Sequence, residues 1–331
     1  MSDGRLSRVC VVGGAGFIGS HFVARLLSDP ATEQVTVYDN FSSGSDWHLA
    51  PVADDPRLRV VRADVGDLPD LVEACAGHDT MIHLASNPDI AAAVTNPAID
   101  FDQGTRLTHH VAEAARLSQV GLVLYASGSG VYGDLGEIEA VEDHGPMIPT
   151  STYGASKLAG EAILASYAAM FDFTVRAFRF GNVVGPRQTH GVGYDFVRRL
   201  LDDPSRLRIL GDGQQSKSYI YVEDVIAAVL LAGTRATTPF DAFNVATGDY
   251  VTVTEIAELA MDVLGLPPGS TEFQYTGGDR GWKGDVPVVR INTDKIPRPK
   301  AASYDKTCAV ARTEPSSGYL EPDDQPASIT P

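Results

Sequence analysis

The sequence is short of cysteine and of basic residues. Its cysteines, Cys10, Cys75 and Cys308, are far apart and form no CxxC pair, so we expect no disulfide framework and a reducing, cytoplasmic location. Lysine and arginine total 26 against 43 aspartates and glutamates, which gives a net charge of −17. Because the chain has no basic cluster, we do not expect nucleic acid or an anionic membrane as a partner.

Long apolar runs and metal-ligand patterns are also lacking. No run approaches the roughly 20 apolar residues that span a bilayer. The polar start MSDGRLSR leads directly into a strand pattern, without a secretory leader. The eight histidines show no metal-ligand spacing. We therefore expect a soluble protein without a metal site.

What the sequence does contain is an alternation of Val- and Ile-rich runs with helical stretches, the latter at 18–28, 104–118 and 153–171. Near-continuous apolar runs are typical of strands that are covered on both faces. The pattern predicts an α/β fold with a doubly wound parallel sheet. Its strands are expected at RVCVV (8–12), QVTVYD (34–39), LRVVRAD (58–64), DTMIHLA (79–85), GLVLYAS (121–127) and FTVRAFRF (173–180).

The pattern changes at about residue 181, where short strands begin to mix with helices. We interpret residues 1–180 as one domain and 181–331 as a smaller C-terminal lobe, with elements of 218–248 returning to the first domain. From about residue 297 the chain is rich in Pro, Ser and Asp and has no periodicity. That composition predicts an extended or disordered tail.

A glycine-rich turn, VVGGAGFIGS (11–20), follows the first strand and opens a helix. Gly13, Gly16 and Gly19 have the spacing expected where a tight turn, a pyrophosphate and a close helix contact all require glycine. The helix would offer free N–H groups and partial positive charge to the anion. Asp39 ends the second strand, 20 residues after Gly19. Its carboxylate would accept from a ribose 2′-hydroxyl and repel a 2′-phosphate, which predicts NAD as the cofactor.

Asp64 ends the third predicted strand, and Val65 follows it. In such folds this position commonly meets the adenine ring, so both residues are candidates for the cofactor site. The alternative is that Asp64 caps the helix that follows.

The segment STYGASKLAGE (151–161) begins a predicted helix with Tyr153 and Lys157 four residues apart, on one face. A tyrosine with a pKa near about 10 is a poor base at neutral pH. A neighbouring ammonium and an oxidised nicotinamide ring would favour the phenolate. Lowering the pKa by about three units requires roughly 4 kcal/mol of differential stabilisation. Tyr153 and Lys157 are the predicted catalytic pair.

Together, the glycine triplet, Asp39, the turn SGSGVYG (127–133) and YGASK resemble the extended short-chain dehydrogenase/reductases. Later segments resemble the nucleotide-sugar epimerases, above all the UDP-glucose 4-epimerase-like proteins of archaea and bacteria. Those segments are RFGNVVGPRQ (179–188), THGVGYDFVRRL (189–200), LGDGQQSKSYIYVEDV (210–225) and GGDRGWKGDVP (277–287). The resemblance implies an NAD-binding Rossmann domain at 1–180 and a nucleotide-sugar binding lobe at 181–331.

The resemblance also implies the reaction, which is epimerisation at C4 of a UDP-sugar through a transient 4-keto intermediate. Tyr153 would take the proton of the sugar 4-hydroxyl while NAD takes the C4 hydride, which later returns to the other face. Lys157 would hold the nicotinamide ribose. The rest of the cofactor site would come from the glycine turn and from loops after the strands, at Phe17, Ile18, Asn40, Ser43, Gly44, Asp64, Val65, Leu84, Ala85 and Ser86.

Substrate contacts are implied in the same way. Asn182 would bind the diphosphate, with Lys217 and Arg280 as its cations, and such groups suit phosphate oxygens. Asn87 would line the sugar pocket, and Tyr219 would contact the substrate. Relatives form dimers through two helices, so we also expect a homodimer, formed through the alanine-rich faces of the predicted helices at 104–118 and 153–171.

The turn SGSGVYG departs from the resemblance at Gly128, where related enzymes carry a Ser or Thr. That hydroxyl shares the hydrogen bond to the sugar O4 with the tyrosine. Ser127 and Ser129 flank the position and are candidate catalytic residues. We expect Ser129, or a water molecule in the missing side-chain volume, to replace the hydroxyl. Losing one placed proton-transfer group can lower a rate on the order of 10²-fold or more.

The reaction itself has alternatives. Related 4,6-dehydratases carry an Asp–Glu pair just before VYG, and decarboxylating relatives tend to keep the glutamate, whereas Ser129 and Gly130 stand here. A dehydratase or decarboxylase, or an NAD- and nucleotide-binding protein with impaired turnover, remain the alternatives. The sugar also stays open, because UDP-glucuronate or an N-acetylhexosamine nucleotide could take the place of UDP-glucose and UDP-galactose.

Overall fold

A computed structural model of the chain describes residues 6–234 and 238–296. The predicted tail from about residue 297, and with it Cys308, lies outside these described residues. Within them the strands are β1 Arg8–Val12, β2 Gln34–Asp39, β3 Leu58–Arg62, β4 Thr80–His83, β5 Leu122–Gly128, β6 Thr174–Phe180, β7 Asn182–Val184, β8 Arg206–Ile209, β9 Ser216–Lys217, β10 Tyr219–Tyr221, β11 Phe240–Val245, β12 Val251–Thr252 and β13 Glu272–Tyr275. The helices are α1 Phe17–Leu27, α2 Asp46–Leu49, α3 Leu68–Cys75, α4 Arg106–Leu117, α5 Thr152–Met170, α6 Val192–Asp202, α7 Val222–Gly233 and α8 Val253–Val263.

The main sheet consists of seven parallel strands in the order β11-β6-β5-β4-β1-β2-β3. Successive side chains of a strand point to opposite faces of the sheet. Val9 and Val11 of β1 therefore belong to the core formed with α1 and α7, whereas Cys10 and Val12 belong to the core formed with α3, α4 and α5. Helices on both faces of a parallel sheet confirm the predicted doubly wound α/β fold.

The order of the sheet reverses at β1, which pairs with β2 on one side and with β4 on the other. In open α/β sheets, ligands bind in the crevice outside the carboxyl ends of the strands at such a reversal. The glycine turn follows β1 directly, so the topology places it at this crevice.

Several boundaries differ from the sequence prediction, most of them by one residue, and the strand predicted at 79–85 ends at His83. β3 ends at Arg62, and because it is an edge strand its apolar run is not covered on both faces, with Val60 42% exposed. The helix predicted at 104–118 begins instead with a π-helical turn, Phe101–Thr105, ahead of α4. Gly104 lies in that turn against α5, where a Cβ would stand 2.7 Å from the Ser156 hydroxyl oxygen.

The chain after β6 contributes both to the main sheet and to a separate core. α7 packs on the main sheet, and β11 pairs with β6 at its edge. The other elements form the strand pairs β7–β10, β9–β12 and β8–β13, and α6 packs with α8 in a core of their own. The domain boundary expected at residue 181 stays a prediction.

Two of the widely spaced cysteines meet in the fold. The Sγ atoms of Cys10 and Cys75 lie 3.4 Å apart as free, buried thiols. None of the helices formed by residues 6–234 and 238–296 is long and apolar enough to cross a membrane.

Candidate active site

In the glycine turn between β1 and α1, Gly13 and Gly19 leave no room for a side chain. Gly13 has a φ of +83°, and a Cβ there would stand 2.7 Å from the backbone nitrogen of Ala85. A Cβ at Gly19 would stand 2.2 Å from the carbonyl oxygen of Gly13. α1 begins after Gly16, which has no side chain to cap it. The first amides of the helix are therefore available to an anion, as the binding of a pyrophosphate requires.

Asp39 links this turn to the loop after β2. The residue is buried, at 7% exposure. One carboxylate oxygen accepts from the Ala15 amide at 2.9 Å, and the other accepts from the Phe41 amide at 2.8 Å. A fixed carboxylate beside a glycine turn fits the ribose of NAD, since its remaining lone pairs can accept from a hydroxyl.

Asp64 lies in the loop after β3 and is held by two donors. It accepts from the Asn40 side chain at 2.8 Å and from the Gly66 amide at 2.7 Å, and these hydrogen bonds lower the pKa of the Asp64 carboxyl. The alternative reading of Asp64 as a helix cap is wrong, because Asp67 caps α3 by accepting from the Asp70 amide.

Tyr153 and Lys157 lie in the first two turns of α5. The Ser151 side chain caps this helix by accepting from the Gly154 amide at 3.1 Å. Lys157 Nζ donates to the carbonyl oxygen of Ala126 at 2.8 Å and lies 5.4 Å from the centre of the Tyr153 ring. The predicted pair is therefore side by side, with Lys157 tied to the end of β5.

Burial dominates the titration of both groups. Burial raises the pKa of Tyr153 to about 12 and lowers the pKa of Lys157 to about 8, because each charged form loses hydration. The protein groups alone thus hold the phenol protonated at neutral pH. The lowering of the Tyr153 pKa that the sequence predicts stays a prediction for the complex with oxidised NAD, whose ring adds positive charge.

A buried ion pair lies behind this site. Arg179 on β6 and Glu161 on α5 are 4% and 5% exposed and meet at 2.7 Å. Ser127, which pairs with Arg179 across β5 and β6, donates to the Glu161 carboxylate at 2.5 Å. Arg179 also donates to the Tyr132 hydroxyl at 2.8 Å. The Ser127 hydroxyl is therefore occupied by the ion pair.

The turn after β5 has an open position where the hydroxyl is missing. Gly128 has extended backbone with a φ of −154°, and a Cβ added there would meet no heavy atom within 4 Å. Ser129 begins the 3₁₀ segment Ser129–Tyr132. Gly128 thus leaves space that a side chain could fill.

These elements surround a cavity of about 560 Å³ at the carboxyl ends of β1, β2, β4 and β5. It brings together most of the predicted cofactor residues, the catalytic pair and one predicted substrate residue. Its lining includes Gly13, Gly16, Phe17, Ile18, Gly19, Asp39, Asn40, Ser43, Asp64, Val65, Leu84, Ala85, Ser86, Asn87, Ser127, Tyr153 and Lys157. Other predicted residues, all in the described part of the chain, do not line it: Gly44, Ser129, Asn182, Lys217, Tyr219 and Arg280.

The predicted phosphate-binding residues lie near one another but outside this cavity. Asn182 of β7 and Tyr219 of β10 face each other in one strand pair. Lys217 Nζ lies 2.5 Å from an Asp285 carboxylate oxygen. Arg280 donates to the Asp285 carbonyl oxygen at 2.6 Å and to the Asp134 carboxylate at 2.7 Å. Both cations therefore have carboxylate partners already.

The cavity also contains residues that the sequence reasoning missed. Arg106, Gln103 and His190 line it. His190 could have been found from the sequence, because it lies in the segment 189–200 that resembles the epimerases. Glu161, in the ion pair behind the cavity, could also have been found, because it lies four residues after Lys157 and hence on the same face of α5.

Comparisons with known proteins agree with this geometry. The chain matches the model of the NAD dependent epimerase/dehydratase family over residues 9–246. A UDP-glucose 4-epimerase of Mycolicibacterium smegmatis is 34% identical over 267 residues, covering 78% of this chain and 83% of that protein. A dTDP-glucose 4,6-dehydratase of an Actinoplanes species is 31% identical over 300 residues, covering 88% of this chain and 93% of that protein.

A solved structure of a UDP-galactose 4-epimerase is similar throughout, with a TM-score of 0.78, 36% identity and coverage of 92% of this chain and 97% of that chain. The family is NAD dependent, and the glycine turn, buried Asp39 and large cavity fit that cofactor. The resemblance seen in the sequence motifs is thus confirmed. The chain belongs to the NAD dependent epimerase/dehydratase family.

Proposed function

We propose that the protein catalyses epimerisation at C4 of a UDP-sugar, through a transient 4-keto intermediate. One observation carries the choice over dehydration: no carboxylate lies in the turn beside Tyr153. Residues 127–133 place Ser129 and Gly130 at the two positions just before Val131. Elimination of water across C5 and C6 needs a placed acid and base in addition to the tyrosine.

Carboxylates elsewhere in the cavity do not fill this need. The lining carboxylates within the described ranges are Asp39, Asp64 and Asp102. Asp39 accepts from two backbone amides, and Asp64 is held by Asn40 and Gly66. Asp102 lies 3.7 Å from Arg106 as an exposed i,i+4 ion pair. Each of these carboxylates is already engaged by other groups of the protein, which disfavours its use as the extra acid or base of an elimination.

The proposed mechanism relies on the pair in α5. NAD, when bound, supplies a reversible hydride acceptor for the sugar C4. Tyr153 accepts the proton of the sugar 4-hydroxyl and returns it once the keto group has turned. Lys157, held by the Ala126 carbonyl oxygen, binds the nicotinamide ribose and adds positive charge beside the phenol.

We assign the diphosphate of the substrate to Asn182, Lys217 and Arg280. In support, Lys217 and Arg280 converge on the same residue, Asp285. A diphosphate would have to displace Asp285 from Lys217 and Asp134 from Arg280. Such an exchange is feasible because phosphate carries more charge than one carboxylate and accepts from both cations.

Product analysis tests this function. Purified protein is incubated with UDP-glucose, UDP-galactose, UDP-glucuronate and dTDP-glucose, and the products are followed by NMR. Interconversion of C4 epimers without accumulation of reduced NAD supports the proposal, and Tyr153→Phe should abolish it. A stable 4-keto-6-deoxy product would instead establish a dehydratase, and a 4-ketopentose formed from UDP-glucuronate would establish a decarboxylase.

A second candidate is a binding protein with impaired turnover, which the missing hydroxyl at Gly128 favours. It predicts retained NAD and nucleotide sugar with no product over hours.

We further propose a homodimer through α4 and α5, since Ala155, Ala162 and Ala169 are exposed on α5. Sedimentation at the mass of a single chain would disprove the dimer.

A further inference from the structure

Ser86 is a hydroxyl without a partner inside the active-site cavity. It follows β4 and lines the cavity together with Tyr153 and Lys157. Its Oγ atom is buried and has no hydrogen-bond partner among the described residues. Buried polar atoms of native proteins nearly always have a partner, so an orphan inside a cavity indicates a reacting group or a ligand.

The other hydroxyls around Tyr153 already have partners. Ser127 donates to Glu161 at 2.5 Å, and Thr152 donates to Asp100 at 2.6 Å. Ser156 donates to the Tyr153 carbonyl oxygen at 2.8 Å. These three hydroxyls would have to break a formed hydrogen bond before they could serve the phenol, whereas Ser86 would not.

The position where relatives carry the hydroxyl cannot supply one here. Gly128 has no side chain, and Ser129, the expected substitute, does not line the cavity. The space around Gly128 is open, so its absent side chain has not been replaced by packing from a neighbour. Ser86, which follows β4, is by contrast a side-chain hydroxyl that lines the cavity together with Tyr153.

The electrostatics of Tyr153 agree with this placement. Burial raises the pKa of Tyr153, and the Asp100 carboxylate raises it further, whereas the Ser86 hydroxyl lowers it. Lys157 is the cation nearby, with Nζ 5.4 Å from the ring centre. Ser86 thus lies close enough to stabilise a phenolate, although no fully formed hydrogen bond joins the two side chains.

We propose that Ser86 supplies to Tyr153 the hydroxyl that Gly128 lacks, an inference that rests on the proposed epimerase function. The Ser86 hydroxyl donates to the phenolate oxygen and, when a sugar is bound, accepts from or donates to the sugar O4. Ser86 forms and breaks no covalent bond. It acts in place of Ser129 or a water molecule, the two substitutes expected from the sequence.

The test compares Ser86→Ala, Gly128→Ser and the double variant, with NAD bound to the full chain. Tyrosinate absorbance is titrated against pH, and the same variants carrying Tyr153→Phe isolate the contribution of Tyr153. Ser86→Ala should move the Tyr153 titration to higher pH and lower kcat about 10²-fold, with a smaller effect on KM. Adding Gly128→Ser should restore both, since the space at residue 128 accepts a side chain.

Ser270→Ala is the matched control, because Ser270 is an exposed serine between α8 and β13, outside the cavity lining, and should change neither readout. An unchanged titration and kcat in Ser86→Ala would overturn the proposal. A lower kcat with an unchanged titration and no rescue by Gly128→Ser would also overturn it, since Ser86 would then act on the cofactor alone. The Tyr153 titration can be measured without turnover. The Ser86 proposal is therefore tested even if the protein proves not to be an epimerase.

Discussion

Replacing Glu161 by glutamine tests how strongly the buried ion pair behind the active site stabilises the fold. Glu161 and Arg179 are 5% and 4% exposed. The Arg179 guanidinium donates hydrogen bonds to both carboxylate oxygens of Glu161, at 2.7 Å to one and 3.0 Å to the other. Glutamine keeps the volume of the side chain but leaves the guanidinium without a counter-charge in a site that excludes water.

Breaking a buried pair from one side typically destabilises a protein by about 3–5 kcal/mol, because the remaining charge stays buried and uncompensated. Whole-protein stabilities are roughly 5–15 kcal/mol. We therefore expect Glu161→Gln to lose about a fifth or more of the free energy of unfolding, measured by urea denaturation with circular dichroism. Glu161→Leu combined with Arg179→Met should recover part of that loss, because no charge is then stranded.

The matched control is Asp46→Asn, which breaks the exposed pair of Asp46 and Arg62. Their side chains are 77% and 54% exposed, and exposed pairs contribute about 0–1 kcal/mol. If Glu161→Gln were as mild as this control, the buried pair would be effectively solvated and the reasoning from burial would be refuted.

Two other predictions concern the cofactor turn and the catalytic lysine. Gly19→Ala forces a Cβ to within 2.2 Å of the Gly13 carbonyl oxygen, so it should destabilise the fold by about 1–3 kcal/mol and weaken NAD binding in calorimetry. Gly16→Ala, whose Cβ would stand 3.5 Å from that oxygen, should cost only the smaller difference between glycine and alanine at a helix N-cap, and equal stability of both variants would contradict the close-contact argument. Burial lowers the Lys157 pKa from 10.5 to about 8. Between these two pH values the lysine is protonated in the unfolded state and largely neutral in the folded state. The free energy of unfolding of the wild type should therefore rise, relative to that of Lys157→Met, as the pH rises from about 8 to about 10.5. A stability difference between the two proteins that does not change across this window would show that Lys157 is not desolvated.

The sequence predicts the fold well because the signals are local. Each apolar run of the main sheet is contiguous, and the alternation of strands and helices admits few topologies. The error at β3 arises because edge position is a property of strand order, which a single apolar run does not reveal. The π-helical turn before α4 depends on contact between Gly104 and Ser156, and that contact joins two separate helices.

The site was predictable where its residues share one motif and was not where partners are distant. Gly13 and Gly19 lie in one turn between a predicted strand and a predicted helix, and Tyr153 and Lys157 lie one helical turn apart, so the local sequence already places the members of each set together. The contact of Lys217 with Asp285 spans 68 residues, so the motif that suggested a phosphate-binding cation could not show that the cation already has a partner. The same holds for the hydrogen bond that commits Ser127 to Glu161.

Overall similarity does not separate the two reactions of this family for this chain. Relatives named as epimerase and as dehydratase are 34% and 31% identical to it, so the shared scaffold carries little information about the fate of the keto sugar. The deciding groups are those next to Tyr153, because elimination requires an added acid and base, whereas epimerisation returns the hydride to C4 and the proton to O4 without any further acid or base. Residues 127–130 are alternating serines and glycines, so this turn offers no carboxylate next to Tyr153. The unpartnered Ser86 hydroxyl can stabilise the negative charge of the Tyr153 phenolate. The chemistry thus depends on a few side chains at the ends of β4 and β5, and variants at residues 86 and 128 address it more directly than any further comparison of whole chains.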